Sequence, residues 1–373
     1  SDSPVHTMLS GPAGGVSGAA YVATLAGHGN ALGFDMGGTS TDVSLIQNGE
    51  PLISRQTSLG HYPIKIPSVE VHSVGAGGGS IAHVPMTGAL RVGPESAGAA
   101  PGPACYGRGG EQPTVTDANL LLGRLPPQLL DGRMVLDIKA AEEVVGKIAR
   151  ALGLDLHQAA KGILDIVNEN MFGALRLVSV QKGLDPRDFA LIAFGGAGPL
   201  HGNAMGILGN CYPVIVPPTP GVLSALGFLY SDVKNEFAQT YVRNISDVDG
   251  NQLGEIYDRL GREARGWLRE EGIDDQRQEL NFQADVRYFR QGYEFALQVN
   301  PDSLSNGGLS DLEARFGDAH ERLYGFRLEQ PVELVNLRAV GTGGVEKVHL
   351  PSFDLEGADA SAAMVEQHRV YFD

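Results

Sequence analysis

The sequence reads Gly33-Phe34-Asp35-Met36-Gly37-Gly38-Thr39-Ser40-Thr41-Asp42-Val43-Ser44-Leu45 between residues 33 and 45, and this stretch decides the fold. A short apolar run ends at Asp35, the chain turns through two glycines and three hydroxyl residues, and an alternating segment follows Asp42. This order is typical of a strand, a tight turn and a second strand. We therefore expect a β-hairpin with a polar tip.

The tip of this hairpin suits a phosphate group. Gly37 and Gly38 permit positive φ and allow backbone N–H groups to approach an anion closely. Three hydroxyl donors follow them in the sequence: Thr39, Ser40 and Thr41. The sequence thus predicts that these residues contact nucleotide phosphates, whereas an ordinary hairpin turn explains the same residues equally well.

Two acidic residues, Asp35 and Asp42, flank the tip. A carboxylate cannot bind a phosphate directly, but it can hold the Mg²⁺ that accompanies a nucleotide or act as a base on a water or substrate oxygen. No Gly-Lys-Ser/Thr follows, so a P-loop is excluded, and the glycine spacing differs from the dinucleotide fingerprint. We predict Asp35 and Asp42 as the catalytic residues.

A second glycine turn follows a continuous apolar segment, Phe189 to Phe194, which is typical of a strand buried on both faces. The turn consists of Gly195, Gly196, Ala197 and Gly198. Pro199 suits the first turn of the helix that comes next. A strand, a glycine turn and a helix N-terminus allow a base or a phosphate to lie against the backbone, so we predict that this turn contacts the adenosine side of a nucleotide.

A third glycine-rich segment, Ser10 to Gly15, precedes a helix of small residues. Such a turn can bind an anion because unsatisfied N–H groups and the positive end of the helix dipole coincide there. Close helix packing through glycine and alanine is the alternative.

The composition limits the partners of this chain. It has 373 residues and a net charge of −16, which argues against nonspecific nucleic-acid binding and an anionic membrane partner. No apolar run approaches the roughly 20 residues that span a bilayer. Two cysteines, Cys105 and Cys211, fit a reducing compartment, so we expect a cytoplasmic protein. The chain begins close to a motif, and we expect that it lacks an upstream part.

A shift in composition divides the chain. Residues 1–235 carry the glycine-rich loops, and we interpret them as one α/β lobe. Charged residues become frequent and glycine becomes rarer after this point, so residues 236–348 are predicted to form a separate α+β domain. Residues 349–373 are predicted to be a partly loose C-terminal segment.

Four further side chains have the residue types of a Zn²⁺ site: His72, Cys105, Asp117 and His201. Each is predicted to lie in a loop or at the end of an element, so a four-ligand metal site is one interpretation. Their spacing does not indicate a metal by itself. The alternative is a set of separate cap and turn residues that never meet.

These motifs together resemble the hydantoinase A / 5-oxoprolinase family. The resemblance extends from about Pro4 to Leu350 and rests on six segments: 10–15, 35–42, 72–80, 102–107, 114–119 and 194–201. It implies an α/β nucleotide-binding lobe of the actin, hexokinase and Hsp70 type (ribonuclease H-like), followed by a smaller α+β domain.

The resemblance also implies an activity, ATP-dependent opening of a cyclic amide such as a hydantoin or 5-oxoproline. ATP phosphorylates the carbonyl oxygen in that reaction, which allows water to attack. The implied cofactors are ATP and Mg²⁺, and the implied partner is a hydantoinase B-like subunit in an oligomeric assembly.

The sequence departs from the family in one respect. Family members resemble two-lobed proteins with an earlier Asp-x-Gly-Gly-Thr loop, and this chain has only one such loop. We therefore expect a second lobe plus C-terminal domain that is inactive without the first lobe. An ATP-dependent ketone carboxylase subunit, a small-molecule kinase and a noncatalytic scaffold subunit are the alternatives.

Overall fold

The computed structural model describes residues 10–54, 57–59, 62–64, 68–130, 132–347, 357, 359 and 361–372. The described residues up to Tyr230, together with those from 357 onward, form one compact unit, and Ser231–Lys347 form a second. The second unit thus begins at Ser231 rather than at residue 236. The described residues at the C-terminus contact the rest of the first unit, since the Tyr371 N–H donates a hydrogen bond to the Leu122 carbonyl at 2.9 Å.

The first unit contains six helices among the described residues: α1 (Ser10–Leu25), α2 (Val115–Leu121), α3 (Ile138–Leu152), α4 (Leu156–Val178), α5 (Gly198–Gly209) and α6 (Leu223–Tyr230). Its strands before Gly75 are β1 (Ala31–Met36), β2 (Thr41–Gln47), β3 (Glu50–Pro51), β4 (Ile53–Ser54), β5 (Thr57–Leu59), β6 (Tyr62–Ile64), β7 (Ser68–Val69) and β8 (Val71–Val74). The later ones are β9 (Ser80–His83), β10 (Arg91–Ser96), β11 (Gln128–Leu129), β12 (Met134–Val135), β13 (Ala190–Phe194) and β14 (Val214–Ile215).

The main sheet of this unit is mixed. Its strand order is β14-β13-β1-β2-β3, and β8 also pairs with β2. Strands β1, β13 and β14 are parallel, whereas β2 is antiparallel to β1, β3 and β8. Because β1 and β13 are parallel neighbours, the turns that follow Met36 and Phe194 lie at the same edge of the sheet.

The core covers both faces of this sheet. Leu32, Phe34 and Met36 on β1 belong to one buried cluster together with the apolar face of α4. Ala31 belongs to a second cluster together with the buried residues of α1. Since side chains alternate along a strand, Asp35 lies on the α1 face of the sheet.

Side-chain caps define where the long helices begin. The Asp155 carboxylate accepts a hydrogen bond from the Gln158 N–H at 2.8 Å, and the Gln158 side chain accepts one in return from the Asp155 N–H. Helix α3 begins after the cap Asp137 and ends at Gly153, whose φ of 66° suits glycine. These caps agree with the helical periodicity of the sequence.

The second unit is an antiparallel sheet with two helices. It comprises α7 (Gly250–Glu270), α8 (Leu309–Tyr324), β15 (Val233–Asn244), β16 (Gln278–Tyr288), β17 (Phe295–Gln298) and β18 (Val332–Gly343). The strand order is β15-β18-β16-β17, and buried residues of α7, α8 and the sheet share one core. This is an α+β architecture. Across both units, the described helices include none long and apolar enough to cross a membrane.

Candidate functional site

The tip of the β1–β2 hairpin is a tight turn. The Gly37 N–H donates a hydrogen bond to the Ser40 carbonyl at 3.0 Å, and this bond closes the turn. Asp35 and Asp42 face each other directly across the two strands. Gly38 and Thr39 are exposed, and no protein atom lies within 4 Å of the position that a Cβ on Gly38 would occupy. The turn therefore presents open backbone and a hydroxyl group to solvent.

A glycine turn between β8 and β9 packs on this tip through backbone atoms. The Gly78 N–H donates to the Gly37 carbonyl at 3.0 Å, and the Gly79 N–H donates to the Gly38 carbonyl at 2.6 Å. A Cβ on Gly77 would lie 2.7 Å from the Thr39 carbonyl carbon, a separation that real Cβ atoms do not show. Glycine is thus required there because two backbones are in direct contact.

The turn Gly195–Gly198 reaches the same place from β13. The Ala197 N–H donates to the Met36 carbonyl at 2.9 Å. Gly195 has a φ of 86°, and a Cβ on it would overlap the Asp35 Oδ1 atom. Gly196 is exposed and has no protein atom near its Cβ position, while Gly198 is buried at the start of α5. Three glycine turns therefore converge on one edge of the sheet.

Asp35 lies in the most perturbed environment of this edge. Burial, followed by the nearby Asp42 charge, raises the pKa of its carboxyl group to about 6, although a hydrogen bond from the Ser224 side chain acts in the opposite direction. The α1 residue Gly15 also borders this carboxylate, since a Cβ there would lie 3.3 Å from Asp35 Oδ2. The carboxyl group can thus exchange a proton close to neutral pH.

Asp42 has a different partner. The Ser73 hydroxyl on β8 donates a short hydrogen bond to Asp42 Oδ1. Ser73 also pairs with Asp42 in the strand register, so this contact is local to the sheet. The two acids thus lie side by side but receive hydroxyl donors from different elements.

The hydroxyl residues of the tip divide into two groups. Thr41 is fully buried, and its hydroxyl donates to the Ala76 carbonyl at 2.6 Å. It is therefore inaccessible to a phosphate, contrary to its predicted role. Thr39 is exposed and Ser40 is half-buried, so these two remain candidate phosphate contacts.

The predicted Zn²⁺ ligand Asp117 is instead a buried helix cap. Its carboxylate accepts hydrogen bonds from the Thr114 N–H at 2.9 Å, the Thr114 hydroxyl at 2.7 Å and the Cys105 N–H at 2.8 Å. Burial and the Asp117 charge raise the pKa of the Cys105 thiol, which keeps it protonated. These two residues are close together, but both are occupied by internal contacts.

The two histidines of that prediction lie elsewhere. His201 is buried between Asn168 and Asn119, with distances of 2.7 Å from its Nδ1 to Asn168 Oδ1 and 3.2 Å from its Nε2 to Asn119 Nδ2. Burial, followed by the Arg124 charge, lowers the pKa of His201 to about 4. His72 lies on β8 opposite Val43. No three His, Cys, Asp or Glu side chains in the described part of the chain could hold a metal, so the predicted four-ligand site is wrong.

A cavity of about 740 Å³ opens beside the Gly195–Gly198 turn, between α4, α5 and the described residues at the C-terminus. Its α5 wall begins with Pro199 and Leu200, which directly follow that turn. Arg124 forms another part of the wall, with its guanidinium carbon 5.4 Å from the centre of the Phe372 ring. The cavity thus combines apolar surface with polar groups at its rim.

Two contributors to the site had little or no signal in the sequence. Ser224 follows the Pro217–Gly221 loop and has no motif of its own. Gly15 belongs to the predicted glycine-rich segment, but its position beside Asp35 depends on how α1 packs. The bond from the Gly195 N–H to the Pro220 carbonyl, 3.0 Å long, could have been anticipated only from the tertiary arrangement.

Comparisons with known proteins give a consistent result. The family model described as hydantoinase/oxoprolinase matches residues 1–237. The chain is 37% identical over 371 residues to the caprolactamase subunit alpha of Pseudomonas jessenii, covering 98% of this chain and 53% of that protein. It is 34% identical to 5-oxoprolinase 1 of Arabidopsis thaliana, covering 98% of this chain and 30% of that protein.

Solved structures agree with these sequence matches. The crystal structure of the ATP-dependent caprolactamase from Pseudomonas jessenii superposes with a TM-score of 0.83 at 36% identity, covering 97% of this chain and 53% of that chain. The nucleotide-free acetone carboxylase structure superposes with a TM-score of 0.81 at 26% identity, covering 100% and 55%. This chain spans about half the length of these two proteins. It belongs to the hydantoinase/oxoprolinase family.

Proposed function

We propose that the edge formed by the three glycine turns binds ATP together with Mg²⁺. One observation carries this proposal: Asp35 and Asp42 face each other beside a turn whose Gly38 and Thr39 are open to solvent. Such a turn supplies N–H and hydroxyl donors for phosphate oxygens, and two adjacent carboxylates supply the oxygen ligands that Mg²⁺ prefers. The candidate phosphate contacts are Gly38, Thr39 and Ser40, whereas the N–H of the predicted contact Gly37 already donates to the Ser40 carbonyl.

The adenosine side is assigned to the second glycine turn. Gly196 is exposed, and the turn leads into the N-terminus of α5 beside the cavity of about 740 Å³. A purine needs an apolar surface with a few polar groups, which the wall of this cavity offers. The lobe is assigned to the actin, hexokinase and Hsp70 type on the same grounds, supported by its mixed sheet with a polar hairpin tip.

For the reaction, we propose ATP-dependent hydrolysis of a cyclic amide. ATP is the substrate that supplies the phosphoryl group for the carbonyl oxygen, and this chain positions the ATP. Asp35 is suited to accept a proton from water or substrate because its pKa of about 6 lies near neutral pH. Asp42 is assigned to Mg²⁺ or to its water ligands. A relative of this family carries the name ATP-dependent caprolactamase, which supports this class of substrate.

The partner assignment rests on the names of relatives. Caprolactamase subunit alpha and acetophenone carboxylase gamma subunit are subunits of larger enzymes. We propose that this chain likewise acts with a hydantoinase B-like subunit in a cytoplasmic assembly. Since it spans about half of those proteins, we further propose that it turns over ATP slowly by itself.

A second candidate function is ATP-dependent carboxylation of a ketone. The overlap with acetone carboxylase at a TM-score of 0.81 favours it. Both reactions consume ATP, so they are separated by the organic substrate and by the need for bicarbonate. A screen of lactams, hydantoins and ketones, with and without bicarbonate, would identify the correct class.

The binding proposal is tested by calorimetric titration of the 373-residue chain with MgATP. Gly38→Val fills open space without meeting protein atoms, so we expect at least a tenfold loss of affinity with an unchanged melting temperature. Gly173→Val on α4 is the matched control, since its Cβ position is also open. Equal affinities for the two variants, or no MgATP binding by the parent chain, would contradict the proposal.

A further inference from the structure

Three helices of the first unit meet through polar side chains beside the cavity of about 740 Å³. Asn119 lies on α2, Asn168 on α4 and His201 on α5, and all three are buried. His201 Nδ1 lies 2.7 Å from Asn168 Oδ1, and His201 Nε2 lies 3.2 Å from Asn119 Nδ2. Of the three residues, Asn168 also lines the cavity. A chain of hydrogen bonds therefore runs from the interior to the cavity wall.

The direction of these hydrogen bonds is fixed at the inner end of the chain. Asn119 Nδ2 donates to the Val115 carbonyl, one turn earlier in α2, at 3.1 Å. The reverse orientation of this amide would place its oxygen against that carbonyl, so that two acceptors would face each other. Either orientation leaves one atom of the Asn119 amide without a partner among the described residues, so the Val115 contact decides between them.

The orientation of Asn119 determines the groups that follow. Because Asn119 Nδ2 also donates to His201 Nε2, this nitrogen is an acceptor and the ring carries its proton on Nδ1. The ring stays neutral, since burial and the Arg124 charge lower its pKa to about 4. His201 Nδ1–H then donates to Asn168 Oδ1, which directs the Asn168 NH₂ group away from the histidine. No residue that the structure describes accepts a hydrogen bond from this NH₂ group.

The charged groups of the cavity balance each other. Lys161 and Asp165 form an ion pair along α4, with 2.9 Å between Nζ and Oδ2. Arg124 and Glu169 add one charge of each sign. The remaining walls include apolar side chains of α5 and the Phe372 ring. Such a cavity suits a neutral heterocycle better than a phosphate, because a buried anion needs an excess of positive charge.

We propose that Asn168 is the specificity-determining residue of this cavity and that its NH₂ group donates to a ring nitrogen of adenine. The inference rests on the proposed function, which assigns the adenosine side of ATP to this part of the site. Adenine offers ring nitrogens as acceptors at positions 1, 3 and 7. His201 and Asn119 act through Asn168 as positioning residues and do not touch the nucleotide.

The first measurement needs no nucleotide and no variant of Asn168. Long-range ¹H–¹⁵N NMR spectra distinguish the two tautomers of a histidine, and His201→Gln identifies the His201 signals among those of the ten histidines. We expect a proton on Nδ1 and none on Nε2 at pH 7. A proton on Nε2 alone would overturn the proposal, because it would turn the Asn168 oxygen toward the cavity.

The second measurement is calorimetric titration of the chain with the Mg²⁺ complexes of ATP and of 1-deaza-, 3-deaza- and 7-deaza-ATP. Each analogue replaces one ring nitrogen by C–H, so one of them should bind about tenfold more weakly than ATP. Asn168→Asp keeps the oxygen that accepts from His201 but lacks the NH₂ group, and it should reduce this preference to less than about twofold. Asn203→Asp is the matched control, since it adds the same charge to the same cavity and should retain the preference.

The outcomes separate this inference from the proposed function. Equal affinities of the parent chain for all four nucleotides would overturn the inference and leave ATP binding intact. An unchanged preference in Asn168→Asp, or its loss in Asn203→Asp, would do the same. A parent chain that does not bind MgATP would contradict the proposed function and this inference with it. Melting temperatures identify an unfolded variant, in which case the His201 tautomer and the nucleotide series on the parent chain decide.

Discussion

The hairpin tip around Asp35 and the buried polar groups around Asp117 and around His201 offer a direct comparison within the first unit. Both contain acids and other polar side chains beside glycine-rich loops. Asp117 and His201 are buried, and their polar atoms are paired with neighbouring side chains or with backbone. At the tip, Asp35 is only half-buried, and the neighbouring Gly38 and Thr39 face solvent.

This difference in hydrogen bonding distinguishes polar residues that stabilise the fold from polar residues that can bind a ligand. Polar groups that satisfy each other stabilise a particular packing, and they have no capacity left for a ligand. A partly buried carboxyl group with a raised pKa destabilises the fold when it is charged. Together with neighbouring N–H and hydroxyl donors that have no partner, it can still bind a ligand. Residue type alone is the same in the two regions, so satisfaction of hydrogen bonds is the better criterion for a site.

The largest expected effect concerns Asp117. Asp117→Ala removes a carboxylate that accepts three hydrogen bonds and leaves buried N–H groups unsatisfied. We expect a loss of about 3–4 kcal/mol in the free energy of unfolding, measured by urea denaturation. Asp137→Ala removes an exposed cap with one such bond and should lose about 1 kcal/mol. Equal losses of unfolding free energy in the two variants would contradict a structural role for Asp117 beyond that of an ordinary helix cap.

The next effect is a pH dependence that arises from His201. Its folded-state pKa of about 4 lies below the ordinary value of 6.5, so only the unfolded state takes up a proton between these values. The stabilising contribution is complete above pH 6.5 and is lost as the pH falls toward 4. We expect it to amount to about 2–3 kcal/mol. His201→Gln should flatten this slope, and the exposed control His83→Gln should leave it unchanged.

A smaller effect of opposite sign is expected from Asp35. Its folded-state pKa of about 6 exceeds the ordinary value of 3.8, so its contribution to stability is complete below 3.8 and lost as the pH rises through 6. Asp35→Asn should therefore raise the free energy of unfolding at pH 7 by about 1 kcal/mol, after allowance for solvent screening. It should also abolish ATP-dependent turnover by the assembled enzyme. A destabilised Asp35→Asn variant would place Asp35 with the structural polar residues.

Part of the site was predictable from local sequence. The hairpin, both glycine turns and the paired acids follow from residue order over a few positions, and β1, β2 and β13 are found where predicted. The Zn²⁺ prediction failed because it combined residue types without their hydrogen-bond partners. Thr114, three residues before Asp117, was the available signal, since this spacing is typical of a capping box.

The sequence by itself determined the strands, turns and helices of this protein, because steric and capping preferences act over a few residues. It also determined the family, because several such motifs occur in order. Only the tertiary structure decided which polar groups are hydrogen-bonded within the protein and which remain available to a ligand. Burial of Asp35, its contact with Ser224 and the removal of Thr41 from solvent depend on segments that lie far apart in sequence and meet only when the sheet is packed.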